Sequence, residues 1–322
     1  MIDKVHTAGD VGHPMIELRR LHRFFGSTRA VNDISFEIEK GQVFGFIGPN
    51  GAGKTTSMRI LATLDLPSYG DAFVDGFSAV NDAERVKRRL GFMPDAFGTY
   101  PDVNCREYLD FFARAYGLVG RERMKACQHV MGFTGLDVLA TKPINGLSKG
   151  MKQRLCLGRA LVHDPSVLIL DEPAAGLDPR ARIELREMIR ELAVNGKTVM
   201  ISSHILTELA EICDCVGIVE RGELLAVGSV AEMESRLAKS ASMRVTVLDR
   251  ASQVAEWITS NNPDCKVKVI GNAIDFELPM DQRSQAKLLR GLIEAGFDVA
   301  SFGVVDRNLE EVFLNVTKGR VQ

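Results

Sequence analysis

Residues Gly48-Pro-Asn-Gly-Ala-Gly53-Lys54-Thr55-Thr56 constrain this chain more than any other stretch. Their spacing, G-x-x-x-x-G-K-[ST], is that of a loop that wraps a phosphate chain. Glycine carries no Cβ, so the backbone can approach an anion closely and aim its N–H groups inward. Asn50, Gly51, Gly53, Lys54, Thr55 and Thr56 are the candidate phosphate contacts. Lys54 can reach the β- and γ-phosphates, and the Thr55 hydroxyl can ligate Mg²⁺. Such a loop needs a strand before it and a helix after it. Gln42–Ile47 reads as a buried strand and Lys54–Thr63 as a helix, which places the loop at a helix N-terminus.

Farther along, Val167-Leu-Ile-Leu170 is an apolar strand that ends in Asp171 and Glu172. Cleaving a phosphoanhydride calls for a divalent cation to neutralise charge and a group to position water. Two adjacent carboxylates can divide that work, Asp171 in the Mg²⁺ shell and Glu172 on the attacking water. Taken alone, the pair reads equally well as an acidic exit from a strand. Downstream of a phosphate loop the catalytic reading gains weight.

Composition narrows the class. The chain has 322 residues, 45% of them hydrophobic and 25% charged, which fits about two ordinary globular domains. A formal net charge of −2 argues against a dedicated nucleic-acid binder. The six cysteines form no C-x-x-C pair and read as free, mostly buried thiols of a reduced compartment. Cys213 and Cys215 could be a metal pair, but no partner stands at ligand spacing, and core packing is the simpler reading. No secretory signal opens the chain, and no apolar run reaches the ~18 residues that a membrane span needs. The expectation is a cytoplasmic protein whose membrane role, if any, comes through a partner.

The pattern along the chain predicts its organisation. Residues 1–14 read as a polar extension. Short strands follow between Met15 and Ile47, with turns at Gly26-Ser27 and Lys40-Gly41. A strand at Ala72–Val74, an exposed basic helix over 82–89 and a strand at Leu90–Met93 come next. Asn104-Cys-Arg-Glu107 has the form of a capping box. With helical spacing of Tyr108, Leu109, Phe112 and Tyr116, and a second helix over 121–131, it marks a helical subdomain at about 96–163. Strands and helices then alternate (166–170, 180–194, 197–202, 204–212, 216–219), which predicts a parallel sheet with crossover helices. A linker near Ser235–Ser242 separates residues 15–236 from a second domain, 243–322. That domain carries βαββαβ order, the ferredoxin-like pattern, then a last amphipathic helix over Asn308–Thr317.

Three more segments complete the picture. Leu147-Ser148-Lys149-Gly150-Met151-Lys152-Gln153-Arg154 opens a helix before Asp171. Ala174-Ala175-Gly176-Leu177-Asp178 follows Glu172, and Ile201-Ser202-Ser203-His204 follows the next strand. In this order, with the phosphate loop, they resemble the ATP-binding cassette (ABC) ATPases over about residues 15–236. There the first segment is the signature motif, the second the D-loop, and the His the switch histidine. The downstream domain resembles the C-terminal extension of ATP-binding subunits of bacterial ABC exporters.

The resemblance implies an α/β fold: a P-loop cassette with a mixed sheet core, an antiparallel β subdomain, a helical subdomain and a small α+β ferredoxin-like C-terminal domain. It implies an Mg²⁺-dependent ATPase that powers a membrane transporter, export-type, at the cytoplasmic face of the membrane. The partners would be an integral membrane permease and a second cassette, identical or related, with no nucleic acid. Lys54, Thr55, Asp171 and Glu172 would bind ATP, with His204 near the γ-phosphate and Lys54, Glu172 and His204 as the catalytic set. Ser148 and Gly150 of the second cassette would close the site. Phe25 is the implied adenine-stacking residue, although it or Phe24 must face inward. Asp95 stands where many cassettes have Gln and is carried as a further metal-shell residue. The loop after it, Ala96–Pro101, suits docking to the partner. Lys149 and Met151 replace the commoner Gly and Gln of the signature; Lys149 can add charge at the trans phosphate or simply face solvent. The alternative function is a non-transport ABC ATPase that acts as a switch or signalling module.

Overall fold

The structure is a computed structural model that describes residues 13–96, 98, 102–205, 209, 211–233, 242–262, 265, 267–277 and 282–304. The chain divides into two compact units, Met1–Gly228 and Ser229–Gln322. The predicted helix over Asn308–Thr317, residues 206–208 and 210 of the helix over 204–212, the 235–241 part of the linker and most of the Ala96–Pro101 loop lie outside the described residues.

The first unit begins with an antiparallel sheet. Strands β1 (Ile16–Phe25) and β2 (Thr28–Ile38) are longer than the short strands expected from the sequence. They pair with β4 (Tyr69–Val74) and β5 (Phe77–Ser78) in the order β2-β1-β4-β5. The two strands stay long because register shifts between Leu18 and Phe24 absorb the breaks in alternation. Gly26 and Gly41 take positive φ at the two predicted turns.

Beside it lies a six-stranded sheet. It contains β3 (Val43–Ile47), β6 (Leu90–Met93), β7 (Val167–Leu170), β8 (Thr198–Ser203), β9 (Cys215–Glu220) and β10 (Glu223–Ser229), in the order β10-β9-β3-β8-β7-β6. From β6 to β9 every neighbour is parallel. All residues of β3, β7 and β8 are buried, which is why they read as continuous apolar runs rather than alternating ones. The edge strand β10 was not anticipated. It returns from β9 through Arg221-Gly222, both at positive φ, a two-residue hairpin turn. Its half-buried residues show no alternation from which a strand could be read.

Helix α1 (Lys54–Leu61) follows β3, and α2 (Ala83–Arg89) precedes β6. The helical subdomain consists of α3 (Cys105–Ala115), α4 (Gly120–Phe133) and α5 (Lys149–Leu161), which pack on one another. The capping box at α3 is complete: Glu107 N–H donates to the Asn104 side chain, and Asn104 N–H donates to the Glu107 carboxylate. Gly158 of α5 allows close approach to α4, since a Cβ there would meet Val130 Cγ1 at 2.9 Å. Helix α6 (Pro179–Val194) packs on β8.

The second unit has β11 (Ser242–Val247), α7 (Ala251–Asn261), β12 (Val267–Ile270), β13 (Ala273–Glu277), α8 (Gln282–Glu294) and β14 (Val299–Val304). The sheet order β12-β13-β11-β14, antiparallel throughout, is the ferredoxin-like arrangement. Its core holds Met243, Val245, Val254, Ile258, Ile274, Phe276 and Leu292.

Candidate active site

Sheet order brings the catalytic candidates together. The strands β3, β8 and β7 are neighbours, and their carboxyl ends carry the phosphate loop, His204 and Asp171-Glu172 in turn. In open parallel sheets, ligands sit at that edge. Register places Ile47 beside Ser203 and Leu170 beside Ile201, so the three exits leave the sheet at nearly one level.

The phosphate loop is tied down by glycine geometry. Gly53 sits at φ 100°, and a Cβ there would lie 2.3 Å from the carbonyl oxygen of Ala30. A Cβ at Gly48 would lie 2.2 Å from the Val219 carbonyl oxygen. Neither position accepts a side chain without moving backbone. Lys54 is buried; its Nζ donates to the carbonyls of Gly48 at 2.6 Å and Pro49 at 3.2 Å. Asn50, Gly51 and Thr55 are exposed along the loop, and Thr56 is half-buried.

One hydroxyl ties the Asp171 carboxylate to the Glu172 backbone. Ser202 Oγ donates to Asp171 Oδ1 at 2.6 Å and accepts the Glu172 N–H at 2.8 Å. Glu172 takes φ 47°, a left-handed conformation that an L residue enters at a cost of about 1–2 kcal/mol. That bond to Ser202 helps hold it there. Glu172 Oε2 meets His204 Nδ1 at 2.9 Å, and Oε1 lies 3.4 Å from Lys54 Nζ, an ion-pair distance without a hydrogen bond. Glu172 is thus aimed between a cation and an imidazole.

Asp171 is buried. Burial pushes its carboxyl above the usual carboxylate range; hydrogen bonds from Ser202 and Thr55 act the other way, and the charges of Glu172 and Asp95 add to the rise. Its Oδ2 is buried with no hydrogen-bond partner among the described residues. A buried, unneutralised carboxylate oxygen beside a Thr hydroxyl fits a hard divalent cation. Among the described residues no three His, Cys, Asp or Glu side chains converge on one point, so most of the oxygens around such a cation would come from phosphate and water.

The remaining candidates stand apart from this cluster. Asp95 is exposed after β6, and its charge is felt at Asp171. Phe25 is 48% exposed at the end of β1, whereas Phe24 packs edge-on against His22 and Tyr69. Ser148 is exposed and caps α5 by accepting the Met151 N–H at 3.3 Å. A Cβ on Gly150 would meet Ala181 Cβ at 3.3 Å, so the start of α5 abuts the start of α6. Asp178 caps α6 through the Ala181 N–H. Among the described residues no hydrogen bond or ion pair joins Ser148 or Gly150 to Lys54, Asp171 or Glu172. Lys149 is exposed, and its ammonium lies against Gly176, 2.3 Å from where a Cβ would stand.

Sequence reasoning missed Ser202 as the hinge of the carboxylate pair. The signal was available: a hydroxyl at a buried position of the apolar strand Thr198-Val-Met-Ile-Ser-Ser needs a polar partner.

A glycine loop on a helix N-terminus, with a strand-end carboxylate pair and a histidine beside it, defines a P-loop nucleoside-triphosphatase of the cassette type. Known proteins agree. A family profile described as ABC transporter matches residues 31–175. The chain is 32% identical over 305 residues to the Linearmycin resistance ATP-binding protein LnrL of Bacillus subtilis (strain 168), covering 94% of this chain and 98% of that protein. It is 35% identical over 220 residues to Nod factor export ATP-binding protein I of Ralstonia nicotianae (strain ATCC BAA-1114 / GMI1000), 68% of each chain. A solved ATP binding subunit of an ABC transporter superposes with a TM-score of 0.63 at 27% identity, over 69% of this chain and 93% of the other. The chain belongs to the ATP-binding subunits of ABC transporters and is an ATPase of that family. Among the described residues no helix is long and apolar enough to cross a membrane.

Proposed function

We propose that this chain energises export across a membrane as one of two cassettes that close on ATP beneath a membrane-spanning permease, at its cytoplasmic face. Residues 15–236 form the motor and residues 243–322 an accessory domain. The relatives named for resistance and export support this reading over a non-transport switch. The observation that carries the chemistry is Glu172, strained, anchored by Ser202 and directed between Lys54 and His204.

Hydrolysis follows from that geometry. ATP lies with its phosphates in the loop, cradled by the N–H groups from Asn50 to Thr56 and gripped by Lys54. Glu172 orients a water and takes its proton as the oxygen attacks the γ-phosphorus; the bond to the β-bridging oxygen breaks, leaving ADP and phosphate. His204 holds Glu172 in place and borders the γ-phosphate. Thr55 and Asp171, with Asp95 as an outer member, would hold Mg²⁺, which when bound offsets charge on the phosphate oxygens. Ser148, Gly150 and the N–H groups that open α5 form an anion site for the γ-phosphate of the partner cassette. ATP thereby joins the two cassettes, and hydrolysis releases them.

The test is recovery of the tagged chain from detergent-solubilised membranes. A multi-spanning protein should co-purify and raise the ATPase rate. Recovery without such a protein, with a rate that membranes do not alter, would favour the switch.

A further inference from the structure

Phe25 ends β1 with one face of its ring already occupied. The Arg23 guanidinium carbon lies 4.4 Å from the ring centroid. That guanidinium is not free to swing: its Nη2 pairs with Asp65 at 2.8 Å, and both side chains are mostly shielded, 24% and 20% exposed. Asp65 lies just beyond α1, the helix that the phosphate loop opens. A cation fixed by a carboxylate thus backs an aromatic ring whose remaining surface is open.

The ring also stands at the right reach from the phosphates. Phe25 pairs with Thr28 across the β1–β2 turn. Two residues on, the Ala30 carbonyl is packed so tightly on Gly53 that a Cβ there would lie at 2.3 Å. Two residues of strand span ~7 Å, comparable to the distance between the phosphate chain and the base of a nucleotide. Phe24 is unsuited to the task, because His22, Tyr69 and Arg29 already surround it.

We propose that Arg23, anchored by Asp65, is a positioning residue for the nucleotide base: it backs Phe25 and holds the ring so that its open face receives adenine. This rests on the reading of Phe25 as the stacking residue. Physically, the guanidinium contributes a cation–π contact on the far face and removes the ring's freedom before ATP arrives, so less order is lost on binding. The effect belongs to the base and not to the phosphates, which the loop and Lys54 hold.

The full chain therefore separates the terms. Affinities for Mg-ATP and for Mg-tripolyphosphate, which has no base, are measured by calorimetry for wild type, Phe25→Ala, Arg23→Met, Arg23→Lys and Asp65→Asn. Phe25→Ala should weaken ATP roughly tenfold, the scale of an aromatic–base stack, and leave tripolyphosphate unchanged. Arg23→Met keeps the stem and loses the planar cation; it should weaken ATP roughly threefold, again sparing tripolyphosphate. Asp65→Asn and Arg23→Lys should fall between. Arg23→Met added to Phe25→Ala should cost nothing further, since the ring it positions is gone. If Phe25→Ala leaves ATP affinity intact, the stacking reading itself fails. If Phe25→Ala weakens ATP while Arg23→Met does not, stacking stands and the role of Arg23 is overturned. Equal loss for ATP and tripolyphosphate in folded Arg23→Met, with none in Arg23→Lys, which keeps the charge, would reduce Arg23 to long-range charge attraction, which also overturns the proposal.

Discussion

At the carboxyl edge of the parallel sheet, Asp171, Glu172, Ser202 and His204 are joined by direct polar contacts, and Lys54 joins them through an ion pair with Glu172. At the start of α5, Ser148 is exposed and bonds to its own helix, while Gly150 abuts α6. Both regions carry the motif residues of a nucleotide site, yet one is finished within the chain and the other faces outward. On the proposed reading, the difference marks where function depends on a second copy. Substitutions in the first region should damage the isolated chain; substitutions in the second should damage chiefly what two chains do together.

The largest effect should come from Lys54→Ala. It removes the buried ammonium that bonds Gly48 and Pro49 and faces Glu172, and should weaken ATP about 100-fold by calorimetry. Unchanged ATP binding would break the assignment of the finished half.

Ser202→Ala comes next. It strips Asp171 of a donor and leaves the Glu172 N–H without its acceptor. Stability should fall by about 1–3 kcal/mol in urea titration. Steady-state hydrolysis should fall about tenfold, because Glu172 loses its aim. A normal rate would show that Ser202 is only packing.

Much of this contrast was legible beforehand, because its carriers are local. The loop at 48–56 and the strand Val167–Glu172 are short, contiguous patterns, and the Asn104/Glu107 box spans four residues. The parallel strands announced themselves by unbroken apolar runs. What could not be read depends on partners distant in sequence or on irregular backbone. Ser202 acts on Asp171 from 31 residues away, and Arg23 finds Asp65 beyond the phosphate loop. Which of Phe24 and Phe25 faces outward is set by a register shift between Arg23 and Phe24, which defeats simple alternation. The hairpin strand β10 hid because its residues are half-buried on both faces.

The two ends of α5 sharpen the comparison further. Just beyond its C-terminus, His163 stacks on Tyr116 and bonds the Leu90 carbonyl; burial pushes its imidazole down to about 4. The unfolded chain binds this proton near pH 6.5 while the folded chain refuses it, so the stability it contributes is complete above pH 6.5 and drains away toward pH 4. Partial exposure limits the loss to roughly 2 kcal/mol. His163→Gln should flatten urea-derived stability across that window relative to wild type; an unchanged slope would place the acid sensitivity elsewhere.

Ser148→Ala should have the smallest effect on the isolated chain. Losing one N-cap bond costs about 1 kcal/mol, a small drop in Tm. The same variant should nonetheless abolish ATP-driven pairing. A large loss of stability with pairing intact would make this end of α5 structural and erase the contrast.

The central claim is that Glu172 drives hydrolysis in a site that a second cassette completes. Glu172→Gln keeps the side chain's shape and removes its basicity, so ATP should bind and remain uncleaved. Size-exclusion chromatography with light scattering on this variant, with Mg-ATP, should show a dimer that reverts to monomer with ADP. A monomer that still carries bound ATP would contradict the account.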